Sequence, residues 1–167
     1  MKRLFTLLAF VSIFATSFAQ NTTTADKEFE TAIQYLNNED YTNAFKHMLI
    51  SANLGSAKGQ CGLGICYIEG RGTTQNLTEG IKYIRKAAEQ GYSDAKVYLA
   101  LCYLEGKGVP QRNDQAFHWF YEAANSDLKN AEAQLYTAEC YKKGLGVVAR
   151  NDLAKVYYRR AADLGDI

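Results

Sequence analysis

The feature that most constrains the fold of this chain is a repeat that recurs three times, at a spacing of 36 to 38 residues. A cysteine, a tyrosine and a glycine mark its register: Cys66, Tyr67 and Gly70, then Cys102, Tyr103 and Gly106, then Cys140, Tyr141 and Gly144. The two extra residues of the longer spacing fall in the polar loop 125–130. A period of this length predicts a solenoid, because one unit cannot bury its apolar face alone whereas stacked units form a continuous core.

Each copy has the pattern of two helices joined by a glycine-rich turn. In the middle copy, two apolar-periodic segments flank Gly106-Lys107-Gly108 and the only proline, Pro110. Glycine permits the positive φ angles with which a chain leaves a helix. The sequence therefore predicts an all-α fold of antiparallel helix-turn-helix hairpins. Full copies are expected at residues 57–92, 93–130 and 131–167.

A shorter, divergent hairpin is expected before the first full copy, at residues 26–56. Its first helix is predicted to start near Asp26 and carries an apolar stripe with helical spacing: Phe29, Ala32, Ile33 and Leu36. Its second helix is predicted to start at Tyr41. The repeat register supports this, because a shift of 36 residues aligns Ala44 with Gly80 in the second helix of the first full copy. Residues 20–25 form a polar lead with three threonines, which is expected to be disordered.

Residues 1–19 have the pattern of a secretory signal peptide. Lys2 and Arg3 precede an apolar run, and the small residues of Ser17-Phe18-Ala19 suit cleavage near Ala19-Gln20. The alternative is a membrane anchor, but the apolar run has only about half of the ~20 residues that a spanning helix needs. We therefore expect a periplasmic or secreted mature chain that has no stable membrane span.

Positions that recur in every copy predict the core of the solenoid. Tyr83, Trp119 and Tyr157 share one position on the second helices, and truncation of a buried Trp119 to alanine would cost about 3–5 kcal/mol. The other structural positions are Leu63, Tyr67, Gly70, Gly72, Ala88, Leu99, Tyr103, Gly106, Gly108, Ala124, Tyr141, Gly144, Gly146 and Ala162. Candidates to cap the second helices are Asn76, Asn113 and Asn151, or the neighbouring Asp114 and Asp152.

This pattern of glycines, alanines and aromatic residues resembles the Sel-one-like repeat (SLR) family, relatives of the tetratricopeptide repeat with a longer, glycine-rich turn. In the middle copy the matching residues are Ala95, Leu99, Tyr103, Gly106, Gly108, Val109, Ala116, Trp119, Ala123 and Ala124. The chain departs from the family pattern at Gly59, Gly80 and Thr137. Gly80 is expected to weaken its helix by about 1 kcal/mol.

The resemblance implies a right-handed superhelix whose concave face, lined by the first helices, binds proteins, peptides or cell-envelope ligands. The residues predicted on or beside that face are Lys58, Asp94, Val97, Tyr98, Leu101, Leu104, Glu105, Glu132, Leu135, Glu139 and Lys142. The face would be apolar and acidic in the middle copy and of mixed charge in the last. Packing between stacked hairpins would explain many of the same residues equally well.

The four cysteines raise the question of a disulfide or a metal site, but their spacing favours neither. Cys66, Cys102 and Cys140 occupy one position on successive hairpins. Stacked helices lie about 8–10 Å apart, farther than the ~7 Å between Cα atoms that a disulfide tolerates. We interpret the cysteines as small buried hydrophobes. No cofactor is expected, and His47 and His118 are interpreted as packing or surface residues.

Charge and motifs favour a binding protein over an enzyme. The formal net charge of +1 and the lack of a basic stripe give no argument for a nucleic-acid partner. Ser93-Asp94-Ala95-Lys96 and Ser126-Asp127-Leu128-Lys129 fit the S-x-x-K motif of penicillin-interacting serine enzymes, but the companion motifs are missing. We predict a non-catalytic scaffold for a protein or peptide partner. The alternative, which rests on a cysteine-containing branch of the family, is an envelope protein with penicillin-binding or β-lactamase-like activity.

The final residues of the sequence raise one further expectation. The last second helix is followed directly by Asp166-Ile167, whereas solenoids usually end in a polar capping helix. This predicts an uncapped apolar end face, which a second copy of the chain could cover in a homodimer.

Overall fold

The computed structural model describes residues 22–165, which form eight α-helices and no strand. The helices are α1 at residues 22–37, α2 Tyr41–Asn53, α3 Ala57–Glu69, α4 Leu77–Glu89, α5 Ser93–Glu105, α6 Asn113–Ser126, α7 Ala131–Lys143 and α8 Asn151–Asp163. The predicted all-α solenoid of helix pairs is confirmed. The predicted signal peptide, together with residues 20–21 and 166–167, lies outside the described residues.

The helices form two layers, which we call the first-helix layer (α1, α3, α5 and α7) and the second-helix layer (α2, α4, α6 and α8). Within a hairpin the two helices pack side by side, and each second helix also packs against the first helix of the next hairpin. Neighbouring first helices also contact each other, α3 with α5 and α5 with α7. Core side chains such as Leu63, Leu99 and Ile84 are completely buried between the layers.

Glycines end the first helices as the sequence predicts. The C-cap residues Gly70, Gly106 and Gly144 adopt the left-handed conformation, with φ angles of +71°, +72° and +70°. Two residues later, Gly146 runs so close to the previous hairpin that a Cβ atom would lie 2.0 Å from the carbonyl oxygen of Asn113. A side chain at this position would therefore push successive hairpins apart.

Helix α1 begins earlier than predicted. Residues 22–25 are helical, and Ala25 is buried with its carbonyl oxygen accepting a hydrogen bond of 2.7 Å from the hydroxyl of Ser51. The expectation of a disordered lead up to residue 25, with the helix starting near Asp26, is therefore wrong for residues 22–25. The sequence did not predict this helical turn, because three threonines give no apolar periodicity. Its buried contacts are made by the small side chain of Ala25 and by a backbone carbonyl.

The helix caps were predicted correctly for α4 only. The side chain of Asn76 accepts a hydrogen bond of 3.0 Å from the backbone N–H of Glu79. Asn113 and Asn151 instead lie inside α6 and α8 as their first residues. The register explains the error, since position 76 plus 36 is occupied by an arginine.

Ion pairs stand at the starts of α6 and α8, where the asparagine caps were expected. The N-cap residues Arg112 and Arg150 pair with Asp114 and Asp152 at 2.5 Å and 2.7 Å. The Arg150 guanidinium lowers the pKa of Asp152 to about 2. The two aspartates therefore contribute to these helix starts by pairing with an arginine rather than by capping.

The core between α6 and α7 is anchored by Phe120 rather than by Trp119. Phe120 has no exposed surface and stacks on Tyr136, with ring centroids 4.7 Å apart. Trp119 is only partly buried, and its indole Nε1–H has no hydrogen-bond partner among the described residues. The condition of full burial under which Trp119 would cost 3–5 kcal/mol is not met.

The outer face of α8 is more polar than the sequence suggested. Lys155 stands at the position that Ile81 and Phe117 occupy in the preceding second helices, and it is exposed. Ala162, predicted as a structural position, is also exposed, because no described helix lies against that side of α8. Val156 of α8 is also exposed, so the exposed surface of α8 is of mixed character and the apolar end face stays a prediction.

Candidate ligand groove

The first helices bring most of the predicted ligand residues onto one shared surface, which we call the first-helix groove. Tyr98, Leu101, Leu104, Leu135 and Glu139 are half-buried there, whereas Lys58, Asp94, Glu105, Glu132 and Lys142 are exposed. Val97 is the exception, because only 2% of its surface is exposed and it packs in the core. The prediction of Val97 as a ligand residue is therefore wrong.

An apolar cavity of about 210 Å³ opens at the N-terminal end of the groove, and we call it the anchor pocket. Its walls come from α1 and α3, with Met48 of α2 among the lining residues. The lining residues are Phe29, Ile33, Leu36, Met48, Lys58, Cys61, Gly62, Ile65, Cys66, Arg71, Tyr92 and Asp94. Such a lining suits an apolar side chain of a ligand.

The anchor pocket lies where the first repeat lacks a tyrosine. Gly62 is in register with Tyr98 and Tyr136, the groove tyrosines of the next two repeats. The side chain of Met48 fills the space beside Gly62, where a Cβ atom would lie only 2.4 Å from the Met48 sulfur. Sequence reasoning missed this pocket because it gave the α1 stripe no role in ligand binding, although the glycine in register with two tyrosines indicates a difference at this position.

Positively and negatively charged side chains surround the anchor pocket, and only some of them form ion pairs. Arg71 forms an ion pair of 2.7 Å with Glu69. Lys58 lies over the ring of Phe29, with its Nζ atom 6.0 Å from the ring centroid. Asp94, also in the lining, is fixed on its other side by neighbouring polar groups.

Asp94 is held in place by two hydrogen bonds. Its carboxylate oxygens accept one from the hydroxyl of Tyr92 at 2.9 Å and one from the side-chain amide of Asn130 at 3.0 Å. Asn130 also donates to the hydroxyl of Ser93 at 2.8 Å and caps α7 by accepting from the N–H of Ala133 at 2.8 Å. The position of this carboxylate is therefore set by both α5 and the start of α7.

Beyond the anchor pocket the groove is acidic and aromatic. Burial and the nearby Asp94 carboxylate raise the pKa of Glu132. Burial, followed by the charge of Glu69, raises the pKa of Tyr98. Asp94, Glu105 and Glu132 have no ion pair within residues 22–165. Towards the last hairpin the charge becomes mixed, because Lys143 pairs with Glu139 at 2.6 Å.

A larger cavity of about 610 Å³ lies at the turns that precede α3 and α5 and shares Lys58 and Tyr92 with the anchor pocket. Its lining includes Gly55, Ser56, Gly91 and Thr22, which is the first described residue. The smaller anchor pocket has the more apolar lining and is therefore the candidate site for an apolar side chain.

The serines and lysines of the two S-x-x-K motifs form structural ties rather than a catalytic pair. Lys96 is buried and donates a hydrogen bond of 3.0 Å to Ser126 of the other motif, with Glu122 4.0 Å away. Ser93 contacts Asn130 instead of its own lysine. In the S-x-x-K motif the serine and the lysine one turn later act together. The serine–lysine contact seen here, between Ser126 and Lys96, instead joins two different motifs.

The cysteines and histidines have packing environments. The four cysteines are free and buried, and burial raises the pKa of Cys61 to about 12 and those of Cys66, Cys102 and Cys140 to about 11. His47 contacts Glu28 at 2.6 Å and stacks on Tyr35. Within the described residues, no group of three or more metal-ligating side chains could hold an ion.

The two-layered array of helix hairpins defines an α-helical repeat protein. The chain belongs to the Sel1 repeat family, whose model matches residues 38–56, 57–92, 93–128 and 131–166. Three of these matches coincide closely with the copies predicted from the sequence register. Among proteins with curated descriptions, none matches the chain significantly.

Solved structures of Sel1 repeat proteins share this fold. A Sel1 repeat protein from Oxalobacter formigenes is 29% identical, with a TM-score of 0.78 over 85% of this chain and 57% of its own length. The SLR-fold protein c5321, a protective antigen of uropathogenic Escherichia coli, is 23% identical, with a TM-score of 0.57 over 84% of this chain and 38% of its own. A putative Sel1 repeat protein from Klebsiella pneumoniae is 18% identical, with a TM-score of 0.59 over 89% of this chain and 74% of its own.

Membership of the family sets the general class of function. Sel1 repeat proteins are typically protein-interaction scaffolds and are generally non-catalytic. The chain spans only 57% and 38% of the lengths of the first two solved relatives. In the part of the chain that the structure describes, no helix has the length and apolar character needed to cross a membrane.

Proposed function

We propose that this protein is an exported, non-catalytic scaffold that binds a protein or peptide segment in its first-helix groove. The observation that supports the proposal is the apolar anchor pocket beside first helices that contact one another, α3 with α5 and α5 with α7. Helical repeats stack their first helices into an extended surface of this kind. A ligand that fills the anchor pocket and also contacts α5 and α7 has to be elongated.

The size of the anchor pocket favours a polypeptide over a small molecule. Sites for small ligands usually enclose about 300–1,000 Å³, whereas the anchor pocket has about 210 Å³. That volume suits one apolar side chain. The half-buried Tyr98, Leu101 and Leu135 would provide further contacts for the rest of the segment.

The groove can be tested with a matched pair of tyrosine variants. Peptides are selected from a random 12-residue display library on the purified protein, and their affinities are then measured by fluorescence anisotropy. We expect Tyr98→Ala in the groove to weaken binding by about tenfold or more, because aromatic side chains dominate such contacts. Tyr121→Ala, on the second-helix layer, is the control and is expected to leave affinity unchanged. Equal affinities for both variants, or no selected peptide, would contradict binding in the groove.

Export is proposed on the N-terminal pattern of a basic pair, an apolar run and small residues before Gln20. The mature protein is then expected in the periplasm or the medium, starting at Gln20. Mass spectrometry of the fractionated host would identify that N-terminus. Recovery of the intact chain from the cytoplasm, with Met1 or its successor at the N-terminus, would contradict export.

Penicillin binding is the rival function, and the serine environments oppose it. Because Ser93 and Ser126 each hydrogen bond to groups outside their own S-x-x-K motif, we expect no labelling by a fluorescent penicillin. Labelling that Ser93→Ala or Ser126→Ala abolishes would establish the enzyme instead.

Pairing of two copies through the outer face of α8 is the second arrangement that the sequence raised. The exposed Lys155 and Arg159 of each copy would repel those of the other. We therefore expect a monomer mass in light scattering. A dimer mass that Lys155→Glu changes would support the homodimer.

A further inference from the structure

We propose that the groove selects basic peptides, with an apolar side chain in the anchor pocket and a lysine or arginine between Asp94 and Glu132. This inference rests on the proposed function and specifies its ligand. It depends on three features of the groove: its unpaired carboxylates, the fixed position of Asp94 and the spacing of its helices.

The charged side chains without an ion-pair partner among the described residues are cationic at the ends of the groove, at Lys58 and Lys142, and anionic in its middle. Glu69 has Arg71 at 2.7 Å, and Glu139 has Lys143 at 2.6 Å. Asp94, Glu105 and Glu132 have no such partner in residues 22–165. A groove that carries unpaired negative charge attracts positive ligands and disfavours negative ones.

Asp94 links the apolar and acidic parts of the groove. It lines the anchor pocket, and it lies close enough to Glu132 for its charge to raise the pKa of that carboxyl. Its hydrogen bonds to Tyr92 and Asn130 hold the carboxylate in position before a ligand arrives. Pre-organisation of this kind reduces the entropy lost on binding.

The helix spacing sets the separation of the two ligand side chains. Asp94 lines the anchor pocket, and Glu132 lies on the next first helix, roughly one spacing of about 8–10 Å farther along. An extended peptide advances about 3.3 Å per residue. The basic residue should therefore lie about one to three positions from the apolar anchor in the peptide.

The alternative of an acidic peptide has weaker support. Lys58 is the single cation at the anchor pocket that lacks a carboxylate partner among the described residues, and its Nζ atom is already placed over Phe29. An acidic ligand would meet Asp94 and Glu132 immediately beyond that lysine. Repulsion there would oppose its binding.

Two double variants, each of which removes two negative charges, test this inference. Peptides selected from the random display library are measured against Asp94→Asn/Glu132→Gln and against Glu79→Gln/Glu89→Gln, which removes the same two charges from the outer helix α4. We expect selected peptides enriched in lysine or arginine about one to three positions from leucine, isoleucine, phenylalanine or methionine. The groove variant should bind them about tenfold more weakly, and the control within about twofold. Circular dichroism checks that both variants fold.

The outcomes separate this inference from the proposed function. Peptides that lack basic residues but still lose affinity with Tyr98→Ala would leave groove binding intact and overturn the basic specificity. Acidic peptides that depend on Lys58 would overturn it in the same way. Failure to select any peptide, or affinity that is insensitive to Tyr98→Ala, would overturn both.

Discussion

The hairpins α3–α4 and α5–α6 have the same repeat pattern but pack with different residues at their closest approach. Gly64 and Gly80 occupy positions that Ala100 and Ala116 occupy one repeat later. A Cβ atom on Gly80 would lie 2.4 Å from Ile68 and 2.9 Å from the carbonyl oxygen of Gly64. The α3–α4 hairpin therefore has no room for the alanine side chains that α5–α6 accommodates.

The comparison shows that packing and ligand surface change together from one repeat to the next. Helix α3 has glycine at residues 59, 62 and 64, where α5 has alanine, tyrosine and alanine. The same exchange places Met48 beside Gly62 in the lining of the anchor pocket and puts the Tyr98 ring on the neighbouring repeat. A single repeat fold thereby presents a cavity next to an aromatic, acidic surface.

The largest expected effect tests how far α5–α6 depends on a large aromatic side chain. Phe120→Ala should destabilise the protein by about 3–5 kcal/mol, because it removes a completely buried ring stacked on Tyr136. Urea denaturation followed by circular dichroism would measure this. Trp119→Ala, at the partly buried neighbour, is expected to cost less. The reverse order would show that the indole is the anchor.

A second test exchanges the small residues of the two hairpins. Gly80→Ala should destabilise α3–α4 by about 1–3 kcal/mol through overpacking, although alanine alone would favour the helix by about 1 kcal/mol. Ala116→Gly in α5–α6 should cost about 1 kcal/mol for propensity. The same denaturation assay applies to both. A gain in stability from Gly80→Ala would mean that α3 and α4 can move apart.

A third test compares the starts of the second helices. Asn76→Ala should cost about 1 kcal/mol, because it removes the side-chain cap of α4. Arg112→Ala at the start of α6 should cost less, because an exposed ion pair is weak in water. Thermal melts of the two variants would rank them. Equal losses would show that the Arg112–Asp114 pair replaces the cap fully.

The smallest expected effect concerns how the stability of the protein depends on pH through Glu132. The raised pKa of Glu132 means that the folded state holds this proton more tightly than the unfolded state, whose value is near 4.5. The corresponding stability is present below pH 4.5 and is lost as pH rises through the folded pKa. Glu132→Gln should therefore match the wild type at pH 4 and exceed it at pH 7, by a few tenths of a kcal/mol because the side chain is exposed. If the variant and the wild type are equally stable at both pH values, the Asp94 carboxylate does not raise the pKa of Glu132 in the folded protein.

The repeat architecture was readable from the sequence because its signals are local and periodic. The spacing of cysteine, tyrosine and glycine placed every hairpin from residue 57 onward, and the C-cap glycines matched their predicted turns. The start of α1 was not readable, since threonines at residues 22–24 give no apolar period. Its stability depends on a contact between Ser51 and Ala25 that lie 26 residues apart.

The groove was only partly predictable because exposure depends on the neighbouring hairpin. Register alone gives Cys61, Val97 and Leu135 the same role, yet Val97 is buried whereas Leu135 is half-buried. The anchor pocket depends on Met48, which belongs to a different helix from the glycine that it packs against. The sequence of one repeat does not show when a side chain from another helix fills the space beside a glycine.

The hydrogen bonds of Asn130 have a mechanical consequence. They tie the start of α7 to Ser93 and Asp94 at the start of α5, while in residues 22–165 no hydrogen bond joins the opposite ends of these two helices. Elsewhere α7 is held through α6, by contacts such as the stack of Phe120 on Tyr136. The hydrogen bonds of Asn130 thus fix the separation of α5 and α7 at one end, whereas packing alone fixes it at the other.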